Sequence, residues 1–331
     1  LANKDGIQRK QIDFVKWGFL LLVLVGVIYV LLTEDRGAQY IVNGIRYGSI
    51  LMLGAIGLTL TYRIMNFANF AHGDLITFGA YITFTYTALL GIPFILSAGL
   101  AIITTPFLAI ATDRLVYKRL RLRKSAPVVA IMASFGIALI LRNLIQGVWG
   151  TNIQNFGLLR ARPRTYDFGI LEFQLTDYGL IMMIAAFSLA FLLHLFLKHT
   201  RMGKAMRATS DNIDLAKTTG INTERITAWT WGIGTGLAVV AGVFLGVNSG
   251  VFNLMGAGIL IQLFAAAILG GVGSPYGAML GGLVVGIAMN ILVEPVTPIS
   301  PAYQPAVAFV LMILMLLVRP QGLLGIAERK G

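Results

Sequence analysis

No cysteine occurs in the 331-residue chain, which excludes disulfides, thiolate nucleophiles and cysteine-held metals. Charge is scarce too: 12% of the residues are Asp, Glu, Lys or Arg, against about 25% in soluble domains. The three histidines, His72, His194 and His199, are too few and too scattered to suggest a metal cluster. No G-x-x-x-x-G-K-[ST] phosphate loop is present, so ATP is not bound by that route. Acids within apolar runs are nearly absent, because Asp74 and Glu294 lie near run ends. That disfavours an ion-coupled carrier, which usually needs intramembrane carboxylates.

What is abundant is apolar surface. The sequence is 57% hydrophobic with a mean hydropathy of +0.80, more than a water-soluble core could hide. An all-α polytopic membrane protein is expected. A span needs about 20 apolar residues, which predicts about ten transmembrane helices. They fall at 14–32, 41–62, 72–90, 94–112, 127–146, 178–197, 227–249, 257–270, 276–293 and 303–318. The run 14–32 is too long for a secretory leader and lacks a small-residue cleavage site, so it reads as a retained span. The runs 257–270 and 276–293 are short or glycine-rich, so broken or tilted helices are expected there.

The net charge of +12 fits the positive-inside rule. Basic residues collect at 113–126 (Arg114, Lys118, Arg119, Arg121, Arg123, Lys124) and at 198–207 (Lys198, Arg201, Lys204, Arg207). They also mark both tails (Lys4, Arg9, Lys10 and Lys16; Arg319, Arg329 and Lys330). Ten spans with a cytoplasmic N-terminus place all four regions, and the C-terminus, in the cytoplasm. The basic residues separate hydrophobic spans, so the lipid bilayer and not nucleic acid is the expected partner. Segment 147–177 would then lie outside as a turn or short hairpin, although Arg160, Arg162 and Arg164 strain that placement against Asp167, Glu172 and Asp177.

Glycines recur at i, i+4 as Gly232/Gly236, Gly242/Gly246/Gly250, Gly273/Gly277/Gly281 and Gly282/Gly286. This spacing lets helix backbones approach closely in lipid, so tight packing of the C-terminal half is expected. Residues 41–146 and 227–318 each hold about four spans of opposite starting direction, the pattern of an internal duplication.

Two segments invite mechanism. The first is Asn69-Phe70-Ala71-His72-Gly73-Asp74, which places an amide, an imidazole and a carboxylate at the start of the third span. Polar groups at membrane depth either line a pathway or bury against other helices. As pathway residues, Asn69, His72 and Asp74 would meet substrate. As structural residues, Asp74 would stabilise a helix start, His72 would bind carbonyls of the preceding turn, and Asn66 and Asn69 would cap or close it. An acid–base pair is disfavoured, since i, i+2 spacing points His72 and Asp74 to different faces. The second segment is the basic loop from Arg201 to Asn222. Asp211 to Thr218 reads as a short helix, with Ser210 or Asp211 as N-cap and Gly220 just past its end. Such a helix is a handle for a partner.

These segments resemble the permease subunits of branched-chain amino-acid ABC importers, specifically the leucine/isoleucine/valine type with an N-F-A-H-G-D/E signature. Ala267-Ile268-Leu269-Gly270-Gly271-Val272-Gly273-Ser274-Pro275, then Gly277-Ala278, looks like the family's L-G-G-x-G-S-x-x-G-A segment. Val318-Arg319-Pro320-Gln321-Gly322-Leu323 looks like its closing R-P-Q-G-L motif. Asp214-Leu215-Ala216 followed by Gly220 resembles the E-A-A-x-x-x-G loop that docks on ATPases, with Asp and Leu as departures. Arg63 stands where the family commonly has Gly, and Arg46 lies inside the second span. Each would snorkel to an interface or alter the polarity of the pathway.

The resemblance implies a type II-like permease fold. Residues 1–40 would be a tail plus an extra helix, 41–326 the transmembrane domain, and 327–331 a C-terminal tail. Residues 198–226 would form the cytoplasmic coupling loop, with Arg201, Gly203, Arg207, Asp211, Asp214, Ala216 and Gly220 as its contact residues. The implied role is a non-enzymatic inner-membrane subunit, in a bacterium or archaeon, that forms half of an alternating-access pathway for branched-chain or other neutral amino acids. No catalytic residue, metal or cofactor belongs to this chain. The implied partners are a second related permease in a heterodimer, two cytoplasmic ATPases that use ATP and Mg, and a periplasmic or extracellular binding protein. Urea or short amides are the alternative substrates, and an ion-coupled secondary transporter is the alternative class.

Overall fold

The computed structural model describes residues 23–34, 36–158, 162–167, 172–293 and 300–325. Residues 14–22 of the first apolar run, most of both tails, Arg160 and Glu294 lie outside the described residues. The elements in order are α1 (Val23–Thr33), α2 (Gly37–Met65), α3 (Ala71–Phe84), α4 (Phe94–Thr112), α5 (Lys118–Leu122) and α6 (Pro127–Trp149). A hairpin of β1 (Arg164–Asp167) and β2 (Glu172–Leu175) follows. Then come α7 (Asp177–His199), α8 (Arg201–Asp211), α9 (Ile213–Thr218), α10 (Thr223–Ser249), α11 (Met255–Gly270), α12 (Pro275–Val293) and α13 (Gln304–Val318).

Seven helices among the described residues are long and apolar enough to cross a membrane, so the chain is a polytopic all-α membrane protein. Two apolar helices, Val23–Thr33 and Met255–Gly270, are shorter. The shortness expected of 257–270 is thus present in α11, whereas α12 is a full helix of 19 residues. Segment 147–177 contains the expected hairpin, its strands paired antiparallel with Arg164 opposite Leu175 and Asp167 opposite Glu172. One loop is corrected. Residues 113–122, expected as cytoplasmic loop, continue α4 as a π-turn (Asp113–Tyr117) and then α5. Strong helix formers fill that stretch. Asp113 also receives both arms of Arg121, at 2.6 and 3.1 Å, across the irregular turn.

Glycine decides how the bundle closes. The most apolar stretch of α10 is 78% buried and the segment Pro301–Val318 that contains α13 only 17%, so α10 is central and α13 peripheral. On α12, Gly282 faces the backbone of Met52 and Gly286 that of Gly48, leaving no room for a Cβ at the crossing with α2. Gly277 and Gly281 meet α11 at Gly270 and Ala266 in the same way. Close approach replaces a hydrophobic driving force, which lipid does not supply. The pattern is not uniform, since Gly232 faces open space.

The packing also repeats. Exchange α2 for α10, α3 for α11, α4 for α12 and α6 for α13, and most contacts map onto contacts, the α12–α13 contact excepted. Helix α2 packs on α12 as α10 does on α4, and α3 packs on α6 as α11 does on α13. Gly57 meets Gly234 where α2 crosses α10, and Gly73 meets Gly256 where α3 crosses α11. This is the arrangement that an internal duplication of 41–146 and 227–318 would produce.

Candidate functional site

Helix α3 begins deep in the bundle. Helix α2 ends at Asn66, a left-handed C-cap with φ 55°, and the chain then turns back through 67–70. The His72 Nε2–H donates to the Gly54 carbonyl at 2.9 Å. Gly54 lies about 16 Å of helix rise before Met65. The first turn of α3 therefore sits beside the middle of α2, not at its end. Helix α11 starts at the same place: Gly256 contacts Gly73, and its N–H donates to Thr77 Oγ1 at 3.0 Å. Thr77 in turn donates to the Gly73 carbonyl at 3.2 Å. Two helix N-termini thus meet inside the bundle.

Neighbouring side chains complete this junction. The Ala71 N–H donates to Asn69 Oδ1 at 3.1 Å, and Tyr117 Oη donates to the same oxygen at 3.3 Å. The Phe70 N–H donates to Ser134 Oγ on α6 at 3.1 Å. Two turns further along α6, Arg142 reaches Asp74 with Nε at 3.2 Å and Nη2 at 3.3 Å. Ser134 and Arg142, at i and i+8, share a helix face and together fasten the start of α3 to α6.

The sequence-predicted residues Asn69, His72 and Asp74 are thus brought together, each buried by the chain's own helices. They point apart, as their spacing requires: His72 to α2, Asp74 to α6. One expected detail differs. The His72 ring binds a carbonyl of the neighbouring helix, because the first turn of α3 lies beside the middle of α2, while its backbone N–H reaches the preceding turn at the Asn69 carbonyl, 3.4 Å away. Sequence reasoning missed Arg142. Its signal was an arginine inside an apolar run, which needs a carboxylate partner, and Asp74 is the acid available at membrane depth.

The second site lies beyond α7. Thr200 caps α8, accepting the Gly203 N–H at 2.9 Å. Gly203 presses against the Phe196 carbonyl and Leu197, while Arg201 and Arg207 are exposed. The short helix α9 begins at Ile213, two residues later than expected, and its N-cap is Asn212 rather than Ser210 or Asp211. Both of those belong to the last turn of α8. Asn212 Oδ1 accepts from the N–H groups of Asp214 and Leu215 at 3.1 and 2.9 Å. Gly220 follows the helix with φ 82°, as expected of a residue just past a C-cap. Ala216 is buried, whereas Asp214 is exposed and Leu215 is 61% exposed. An apolar side chain is thus presented on a small, capped knob. Replacing Asn212 with Ala should destabilise α9 by about 1 kcal/mol. Faster amide exchange at Asp214 and Leu215 is the measurement.

Arg63 acquires a role here. Its Nη2 lies 2.8 Å from Asp211 Oδ1, which ties the end of α2 to the α8–α9 junction. Among described residues no group of three His, Asp or Glu could hold a metal. The Arg63→Gln variant should leave global stability within about 1 kcal/mol, because the Asp211 partner is exposed and the pair is screened by solvent. It should loosen the α8–α9 junction, again read by amide exchange.

Comparison with known proteins gives consistent findings. Residues 40–316 match the family model described as branched-chain amino acid transport system / permease component. The high-affinity branched-chain amino acid transport system permease protein BraD of Pseudomonas aeruginosa is 35% identical over 303 residues, covering 88% of this chain and 96% of its own. The corresponding Escherichia coli protein, LivH, is 34% identical over 300 residues with the same coverage. The solved structure of PsaBC from Streptococcus pneumoniae in complex with Fab aligns with 90% of this chain and 97% of that chain, at 15% identity and a TM-score of 0.49. A likeness that loose carries no argument.

Proposed function

Because the chain belongs to the branched-chain amino acid transport permease family, we propose a division of labour between its two sites. The chain is an inner-membrane permease subunit of a branched-chain amino-acid ABC importer. In our reading it pairs with a second related permease to form the pathway, and both termini lie in the cytoplasm with ten spans between. Two partner ATPases supply energy from ATP and Mg, and an external binding protein delivers substrate. The chain itself contributes no chemistry.

The buried junction of Asn69, His72, Asp74 and Arg142 forms the wall of the pathway and fixes where α3 and α11 begin. The capped knob of α9, with Asp214, Ala216 and Gly220, seats on the ATPase, and the exposed Arg201 and Arg207 of α8 orient it, while Gly203 holds α8 against α7. Asp211 passes the movement to α2 through Arg63. The observation that carries this reading is the Arg63–Asp211 contact, which joins the loop directly to the helix that packs against His72.

Uptake into proteoliposomes tests the whole. The purified complex is supplied with radiolabelled leucine, alanine or urea, with ATP inside and binding protein outside each added or omitted. Leucine uptake that requires both is expected. Uptake driven by an ion gradient without ATP would overturn the reading.

A further inference from the structure

Arg46 is half-buried nine residues into α2, and among described residues it forms no ion pair or hydrogen bond. A guanidinium at such a depth normally has a partner, since an unpaired buried charge is costly. Arg46 instead lines two cavities, of about 540 and 630 Å³, at the end of the bundle that carries the hairpin. In the first cavity it is the sole charged wall residue among the described residues.

The facing wall has the opposite polarity. The last turn of α10, Gly246 to Gly250, lines that same cavity. A helix C-terminus carries roughly half a negative charge on its unsatisfied carbonyls. No described residue donates to the carbonyls of Val247, Asn248 or Ser249. The segment opposite is held in place: Gln154 and Val251 exchange backbone hydrogen bonds at 2.8 Å, and Phe156 is buried against Phe94. Phe156, Leu158, Met182 and Val247 supply apolar wall between the two poles.

We propose that this cavity is a reception site for a zwitterionic amino acid, with the carboxylate on Arg46 and the ammonium at the C-terminus of α10. The proposal rests on the importer reading, which puts the hairpin end outside, where substrate arrives. A branched side chain then lies on the apolar wall. Arg46, unpaired among the described residues, thereby gains a partner when substrate is present.

The absence of cysteine makes a local test clean. Val247→Cys is introduced into the assembled complex, with cysteine-free partners, and alkylated from the hairpin side. Millimolar leucine should slow alkylation by about fivefold, the order expected when a charge-assisted hydrogen bond closes a weak site. Leucinamide, which lacks the carboxylate, and 4-methylpentanoate, which lacks the ammonium, should not protect. Arg46→Gln should abolish protection and Arg46→Lys should retain part of it. Phe107→Cys, in an apolar groove between α4 and α10, should be unaffected. Absent protection by leucine, equal protection by leucinamide, or undiminished protection in Arg46→Gln would each overturn the site. ATP-dependent leucine uptake, measured in parallel, separates failure of this site from failure of the importer reading.

Discussion

Arg142→Leu should leave little folded protein and no leucine uptake, and Asp74→Asn combined with Arg142→Gln should restore both. The argument is one of buried charge. The Asp74 side chain is 1% exposed and that of Arg142 30%, and the two meet through a pair of hydrogen bonds. Removing the arginine alone leaves a carboxylate without a partner, and breaking a buried pair in this way costs about 3–5 kcal/mol. That is a large part of a typical stability of about 5–15 kcal/mol. The neutral pair keeps the shape and a hydrogen bond, so the start of α3 stays fastened to α6. Folded yield from the membrane and uptake rate are the two measurements. A double variant that folds but does not transport would show that the charges themselves act in translocation, contrary to a role as pathway wall.

The apolar runs were legible because composition alone sets a membrane helix. The hairpin in 147–177 was legible from its polar, strand-length pieces between two spans. The caps of α9 were not, because Ser210, Asp211 and Asn212 are all good N-cap residues in a row. Which one caps depends on where α8 ends, and α8 runs through Asp211 because its Gly203 and Met206 face is anchored on α7 and the core. The depth of His72 was equally hidden. Nothing in residues 66–70 says that the chain climbs back beside α2, since that path is fixed by Gly54, Gly57 and Gly256, far apart in sequence. Arg63 was read as a pathway or interface charge for the same reason: Asp211, its partner, lies 148 residues away.

Ala216→Pro should abolish ATPase assembly and uptake while leaving the membrane helices intact. The Ala216 N–H donates to the Asn212 carbonyl at 3.0 Å, the first intrahelical bond of α9. Proline removes that donor and drives its ring into the same carbonyl, an effect of about 3 kcal/mol inside a helix. A helix of six residues cannot absorb it. Helix α8 is separately capped by Thr200 and held by Gly203, so the damage stays in the knob. Leu215→Ala separates shape from contact. It keeps α9 helical and its Asn212 cap, but removes the apolar side chain that α9 presents outward. If the knob seats in the ATPase, Leu215→Ala should weaken co-purification of the ATPase by about tenfold, the equivalent of losing most of one buried leucine side chain. Normal assembly and ATP-dependent uptake in both variants would remove α9 from the coupling path and leave the exposed arginines of α8 as the contact to test.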